Sequence, residues 1–295
     1  MHIPVLLHEV VEQLQCARGG RFIDVTLGGG GHAKAILAAS PHNQLFGIDR
    51  DSQVLATSKA KFADEQARVF FAQGSFAEVV DLLSQVKWDH VDGILADLGV
   101  SSFQLDEACR GFSFRSDGPL DMRMDSGLQE SAADWVASAS EQEMIEVFRN
   151  YGEERFAKRI AAKLCKEREH VAFEKTSELA RAIVEAYPPP ARRGRIHPAT
   201  RVFQAIRIHI NDELGQLRKF LEVAPELLKA GGRLAVISYH SLEDRLVKHT
   251  FRDLKPHGFS LPFRKPIVPT DAEIEENRRA RSAKLRVLTR DELLA

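Results

Sequence analysis

The sequence predicts an α/β protein, a doubly wound and mostly parallel sheet interrupted by a helical insertion. Three observations carry this. Over the first hundred residues, short β-prone runs alternate with single helical segments. That rhythm stops near residue 105 and gives way to loop and helix as far as residue 207. It returns at residues 231–238, where a glycine pair runs into a nearly continuous apolar strand.

Taken in chain order, residues 4–14 carry apolar groups at helical spacing (Val5, Leu6, Val10, Leu14). Residues 21–25 form a β-prone run ending in glycines, and residues 33–39 resume helix. Residues 44–48 read as the second strand, and Asp51 is placed to cap the helix after it. Residues 69–71 and 91–96 supply the third and fourth strands. In the interruption, a polar, glycine-containing loop precedes several helices. Ser140 with Glu143 has the form of a capping box. Residues 153–166 and 177–186 are amphipathic, and Pro188, Pro189 and Pro190 end the second of these. A long helix is expected over residues 199–223, the central strand over 233–238, a further helix over 242–254 and an edge strand over 284–288. The expected division is a discontinuous domain of residues 1–106 and 208–295, with an inserted helical domain of residues 107–207.

Composition narrows the partners. In 295 residues, 41 basic side chains nearly cancel 42 acidic ones, so nucleic acid would have to be met by local basic patches. Cys16, Cys109 and Cys165 lie far apart with no CxxC pair, which fits neither a disulfide framework nor a zinc site and suits a reducing compartment. The first residues lack a basic region followed by an apolar stretch, and no apolar run approaches the roughly 20 residues of a membrane span. A soluble, cytoplasmic protein with no membrane partner is expected. A homodimer is compatible with the sequence.

The strongest local signal is Asp24-Val25-Thr26-Leu27-Gly28-Gly29-Gly30-Gly31-His32. A glycine run between a strand and its helix lets a ligand touch the backbone, because no Cβ intervenes. The N–H groups of Gly31 and His32, opening the helix, can receive an anionic group. Asp49 ends the second strand, where an acidic residue meets a ribose hydroxyl pair. Nicotinamide dinucleotides and S-adenosylmethionine both carry such a ribose, so both classes stay open. Asp24 suits a cationic amino acid moiety and the glycines are tighter than GxGxxG spacing, which favours S-adenosylmethionine. Asp97, with Gly99 and Ser101, follows the fourth strand on the same carboxyl edge. An aspartate there can accept a hydrogen bond from an amine while Gly99 leaves room for a flat base; the bland alternative is that Asp97 or Ser101 caps the next helix.

Several blocks make the chain resemble the bacterial ribosomal RNA small-subunit methyltransferase H family. They are Phe22-Ile23-Asp24 through Gly30-Gly31-His32, Gly47-Ile48-Asp49-Arg50-Asp51, and Asp97 through Gln104-Leu105-Asp106. Arg110-Gly111-Phe112-Ser113-Phe114 and Asp117-Gly118-Pro119-Leu120-Asp121 continuing to Asp125 follow. His197-Pro198-Ala199-Thr200-Arg201 continuing to Arg207, Ile237-Ser238-Tyr239-His240 continuing to Asp244, and Asn277-Arg278-Arg279 continuing to Arg286 complete the set. The blocks keep the family's order from residue 2 to about residue 288. The resemblance implies a Rossmann-like class I methyltransferase fold that methylates the N4 amine of a cytidine in the decoding (P-site) region of 16S ribosomal RNA within the small subunit. It also implies that Gly30, Gly31 and His32 contact the amino acid part of S-adenosylmethionine, Asp49 the ribose and Phe76 the adenine, with Asp97 and Gln104 completing the set. Position 103 is Phe where the family often has proline.

The chemistry this implies needs no metal, because a sulfonium methyl is already activated. Holding nitrogen, methyl carbon and sulfur in line can contribute roughly 7–11 kcal/mol. A hydrogen-bond acceptor aimed at the amine favours the nitrogen that forms during attack, and Asp97 is the candidate. Unpaired bases in RNA are usually stacked on aromatic or guanidinium planes. Phe112, Phe114, Arg115 and Arg123 are therefore expected either to close over the cytosine or to form a structural clasp between the domains. Two basic clusters are candidates for phosphate contact: Arg192, Arg193, Arg195, His197, Arg201, Arg207 and His209, and then Arg278, Arg279, Arg281, Lys284 and Arg286. His8, His90, His170 and His249 have no ligand spacing, and nothing in the spacing gives His240 a task. The rival readings are an NAD-dependent dehydrogenase, a ribosome assembly factor that binds RNA without turnover, and a DNA amine methylase.

Overall fold

The structure is a computed structural model describing residues 3–194 and 196–292, without the side chains of Ser102 and Phe103. Arg195 and the Phe103 side chain, both singled out above, lie outside the described residues. The chain forms two compact units, Met1–Gly99 with Leu214–Ala295, and Val100–Glu213.

The first unit holds β1 (Arg21–Asp24), β2 (Gln44–Asp49), β3 (Val69–Gln73), β4 (Val91–Asp97), β5 (Leu228–Ser238), β6 (Phe259–Ser260) and β7 (Lys284–Arg290). Their spatial order is β3-β2-β1-β4-β5-β7-β6. The first five strands run parallel, and β7 runs antiparallel to both β5 and β6. Helix α1 (Leu7–Gln13) precedes β1, and helices α2 (Gly31–Ala39), α3 (Ser52–Ala60) and α4 (Val79–Leu83) connect the early strands. The second unit carries α5 (Ser102–Asp106), α6 (Ala132–Ser138), α7 (Glu141–Asn150), α8 (Ala157–Arg168), α9 (Thr176–Ala186) and α10 (Ala199–Ile210). Helices α11 (Glu213–Val223), α12 (Ser241–Asp253) and α13 (Asp271–Glu276) return to the sheet. Among the described residues, no helix is long and apolar enough to cross a membrane.

Alternation along the strands feeds two cores. Ile23, Phe46, Ile94 and Val236 pack with Phe220 and Phe251 in one, while Phe22, Leu45, Leu95 and Ala235 pack with Val10 and Ile36 in the other. Both faces of the sheet are thus covered, as parallel strands require. Each fully buried Leu, Ile or Phe contributes about 1.5–3 kcal/mol. Asp51 caps α3 as its position predicts, accepting from the N–H groups of Gln53 and Val54.

Four elements depart from expectation. The last strand is not an edge: β7 lies between β5 and the two-residue β6, too short to register as a pattern. The first helix starts only at Leu7, because Leu6 adopts a left-handed conformation (φ 53°). Ser140 caps α7 but the reciprocal arm is diverted, since the Glu143 carboxylate accepts from Trp135 Nε1 at 3.1 Å. The helix expected over residues 199–223 breaks after Ile210, with Asp212 at φ 46°.

The break has a cause in the second unit. Asn211 is buried (2% exposed), its Nδ2 donates to the Met122 carbonyl at 2.8 Å, and its Oδ1 accepts from Met124 N at 2.8 Å. The amide therefore fastens residues 122–124 to the end of α10. Nearby, Arg207 forms a two-pronged pair with Glu213 at 2.7 and 2.8 Å. These bonds carry α10 past residue 207, and Val100 and Leu105 pack on the core around Trp135 and Phe148. The units therefore divide at 99/100 and 213/214 rather than at 106/107 and 207/208. Replacing Asn211 with Ala strands a buried carbonyl and a buried N–H, at about 1–3 kcal/mol each. Asn211→Ala is expected to lower the denaturant midpoint by at least the equivalent of ~2 kcal/mol; an unchanged midpoint would show the clasp to be held elsewhere.

Candidate functional site

From β1 the chain winds outward through β2 and β3, and from β4 it winds the other way through β5, so the order reverses between β1 and β4. Open α/β sheets bind ligands outside the carboxyl ends of their strands at such a point. Asp24, Asp49 and Asp97 are the last residues of β1, β2 and β4.

The glycine loop is tied to these carboxylates by its own N–H groups. Asp24 Oδ1 accepts from Thr26 N at 3.1 Å, and Asp49 accepts from Gly28 N at 2.8 Å and from Asp51 N at 2.9 Å. Thr26 Oγ1 accepts from Asp97 N at 2.6 Å, which links the loop to the end of β4. The first bond within α2 runs from Lys34 N to Gly30 O (3.0 Å), so the N–H groups of Gly31, His32 and Ala33 open the helix toward the crevice edge.

The need for glycine is different from that expected. Gly30 has φ 77°, and a Cβ there would stand 2.8 Å from Phe62 Cε2. A Cβ on Gly31 would meet Pro4 Cγ at 2.4 Å. The protein's own side chains occupy the space that a ligand was expected to take, and only the N–H side remains for one. At Gly99, φ is 95°, and its Cβ direction is bounded by the Tyr239 ring at 3.4 Å rather than by space for a base.

Asp97 sits between two partners. Tyr239 donates its hydroxyl to Oδ1 at 2.7 Å, and His32 Nδ1 lies 3.7 Å from Oδ2. His32 Nε2 is 2.9 Å from the Val5 carbonyl, which can only accept, so Nε2 carries the proton. Tyr239 N in turn donates to the buried Glu243 at 2.8 Å. Asp97 therefore caps no helix. Ser101 does, its Oγ accepting from Gln104 N at 3.2 Å.

Burial sets the acidity of the group. Burial is the largest effect on Asp24, pushing its carboxyl up to about 7 against the nearby His32, and on Asp49, raising it to about 6 against two backbone N–H bonds. Asp97 is raised for the same reason, opposed by His32 and the Tyr239 bond, and the Tyr239 hydroxyl is held well above its ordinary value by burial and Asp97. Buried carboxylates converging on one edge make a site whose charge a cationic ligand would balance.

Of the site residues read from sequence, Gly30, Gly31, His32, Asp49 and Asp97 converge on this edge. Phe76 stands just beyond β3, half-buried, with its ring 5.6 Å from that of Phe220. Gln104 belongs to the second unit, where it is buried and accepts from Ser101 N. The sequence alone assigns Tyr239 no role; the available signal was an aromatic directly after the strand that pairs with β4. The expected aromatic loop is used within the second unit. Phe112 is buried, Phe114 stacks on His197 at 4.7 Å, and Arg123 grips Asp121 at 2.8 Å, which leaves Arg115 exposed. Three arginines of the first basic cluster make local bonds: Arg192 donates to the carbonyls of Tyr187 and Glu185, Arg201 to that of Glu153, and Arg207 pairs with Glu213. In the second cluster Lys284 and Arg286 both pair with Asp244. A larger cavity, about 710 Å³, opens where β1 and β5 begin, at the opposite edge from the carboxylates.

A family model described as the MraW methylase family matches residues 1–291. The chain is 49% identical over 286 residues to the ribosomal RNA small subunit methyltransferase H of Nostoc sp., covering 97% of this chain and 91% of that protein. To the enzyme of the same name from Synechococcus sp. (strain JA-2-3B'a(2-13)) it is 51% identical over 299 residues, covering 98% and 92%. To that of Carboxydothermus hydrogenoformans it is 46% identical over 301 residues, covering 97% and 96%. Among solved structures, an rRNA methylase from Streptococcus thermophilus superposes with a TM-score of 0.43 at 11% identity, covering 99% of this chain and all of that one.

Proposed function

The chain belongs to the MraW methylase family, and from that premise we propose that it transfers a methyl group from S-adenosylmethionine to the N4 amine of a cytidine in the decoding (P-site) region of 16S ribosomal RNA. The substrate is the RNA of the small ribosomal subunit, and the reaction is cytoplasmic. The observation that carries this reading is the set of buried carboxylates around the glycine loop. A dinucleotide would bring its pyrophosphate to the start of α2, against Asp24 and Asp97; a ligand with an ammonium and a sulfonium instead neutralises them.

The residues fit such a ligand. Asp24 and the opening N–H groups of α2 hold the amino acid moiety, and the lone pairs of Asp49 left over from Gly28 and Asp51 take the ribose hydroxyls. Phe76 flanks the adenine. When bound, the ligand supplies a methyl group already activated for displacement. Asp97 accepts a hydrogen bond from the N4 amine, drawing the nitrogen lone pair out of conjugation with the ring. The Asp97 carboxylate would take the proton that the amine gives up on methylation, and its raised affinity for a proton suits it to the task. Tyr239 and His32 keep that carboxylate aimed.

Acidity gives a test with a definite sign. A cationic ligand binds the ionised carboxylates, so affinity should fall as pH drops through the 6–7 range of Asp49 and Asp24. One linked proton makes binding about tenfold weaker at pH 6 than at pH 8. In the free protein the sign reverses. These raised carboxyls bind more protons folded than unfolded, so their contribution to stability is full at low pH and lost as pH rises through about 7. Calorimetry between pH 5.5 and 8 checks both, and a Kd independent of pH would count against ligand contact with Asp24.

The reaction itself is tested by radiolabelled methyl transfer to unmodified small subunits, with the nucleoside identified by mass spectrometry. N4-methylcytidine is expected. Methylation of another base, or of duplex DNA in preference, would refute the assignment, and RNA binding without turnover would favour an assembly factor.

A further inference from the structure

A second cavity, about 370 Å³, adjoins the reactive edge in the same unit. It is lined by Tyr239, His240, Val268, Pro269, Arg281 and Lys284, among others. Tyr239 joins the two places, since its hydroxyl bonds Asp97 and the residue lines the cavity. Lys284 is turned to Asp244 at 3.1 Å, which leaves Arg281 as the exposed cation of the lining.

The chain leading to this cavity has an unusual surface. Leu261 packs on the core, and Ile267 exchanges two backbone hydrogen bonds with Leu285, both 2.9 Å. Between these anchors Pro262, Phe263, Arg264 and Lys265 are all exposed. Phe263 is 42% exposed and Val268, at the cavity wall, 56%. No acidic partner of Arg264 or Lys265 is found among the described residues. Proline on either side of the tip, at 262 and 266, limits the backbone freedom that binding would remove. From Phe263 to Val268 an extended chain reaches at most about 18 Å, the scale of a few nucleotides.

We propose that this surface docks the RNA: the cavity beside Tyr239 receives a nucleotide flanking the methylated cytidine, Phe263 stacks on a further unpaired base, and Arg264, Lys265 and Arg281 hold the strand's phosphates. An exposed aromatic interleaved with unpaired cations is what a flexible single strand requires, because every base has a face to stack and every linkage a charge to neutralise. Sharing Tyr239 with Asp97 puts the strand in line with the reacting edge. The inference rests on the methyltransferase reading above and extends it to the substrate's path.

The test uses the full chain and a single-stranded RNA oligonucleotide as probe, titrated at several salt concentrations, beside methylation kinetics on small subunits. Phe263→Ala is expected to weaken RNA binding about five- to a hundredfold. The triple variant Arg264→Glu, Lys265→Glu, Arg281→Glu is expected to reduce the magnitude of the salt slope by about 2. Both should raise KM for the subunit while leaving kcat and S-adenosylmethionine affinity unchanged, the latter also reporting that they fold. RNA affinity, salt slope and KM all equal to wild type would overturn the proposal even where wild-type protein methylates the subunit. Wild-type protein that methylates no RNA refutes the functional reading instead, and the oligonucleotide titration still decides the docking surface.

Discussion

Asp97→Asn is expected to bind S-adenosylmethionine within a few-fold of wild type and to turn over ~10²–10³-fold more slowly. The change is nearly isosteric. Tyr239 can still donate to the amide oxygen, and the amide nitrogen takes the place of the oxygen that lies 3.7 Å from His32 Nδ1. The fold therefore loses nothing, and removing a buried charge should hold or raise the melting temperature near pH 8. What disappears is the acceptor for the amine proton. Removal of one preorganised group aimed at developing charge costs about 10²–10³ in rate. A defect in kcat at unchanged KM for both substrates is the predicted pattern. If the variant binds normally and methylates at the wild-type rate, Asp97 has no part in the chemical step.

Gly31→Ala is expected to damage both stability and cofactor affinity, although Ala is the better helix former. The favourable effect is at most about 1 kcal/mol, and less at the first helical position. Against it, the new Cβ would lie 2.4 Å from Pro4 Cγ, well inside any tolerated contact. Relief requires the segment at Pro4 to move. That displaces the Val5 carbonyl, which orients His32, which in turn faces Asp97. A destabilisation of about 1–3 kcal/mol, the usual cost of overpacking, should accompany a Kd for S-adenosylmethionine raised at least tenfold, since ~1.4 kcal/mol of misplacement suffices. Pro4→Ala removes the Cγ and should restore most of both losses in the double variant. Equal damage with and without Pro4→Ala would place the cause in the backbone of the loop and not in this contact.

These two positions also show what was legible in the sequence. Asp24, Asp49 and Asp97 each end a strand, and strand ends are marked by local pattern, so their meeting at one edge followed from the alternation of strand and helix. The glycine run was equally plain, yet its reason was not. That Pro4 and Phe62 fill the space beside Gly31 and Gly30 depends on contacts between segments distant in sequence. Tyr239 stayed hidden for the same cause, since its bond to Asp97 spans 142 positions. The basic cluster at residues 192–209 was legible as charge, but the local use of that charge was not; carbonyls of residues 185, 187 and 153 accept from two of its arginines. The break after Ile210 turned on a single amide whose partners lie nearly ninety positions away. Conversely, Phe263, Arg264 and Lys265 drew no notice, because exposure is decided by the packing of Leu261 and the pairing of Ile267 on either side.

The most direct measurement is a crystal structure with S-adenosylmethionine bound. The ligand's amino acid end is expected at Asp24 and the start of α2, its ribose on Asp49, and its methyl carbon facing Asp97 with room for an amine nitrogen about 3–3.5 Å away. A ligand lodged in the cavity at the opposite edge of the sheet, or a crevice at β1 and β4 closed to it, would contradict the assignment.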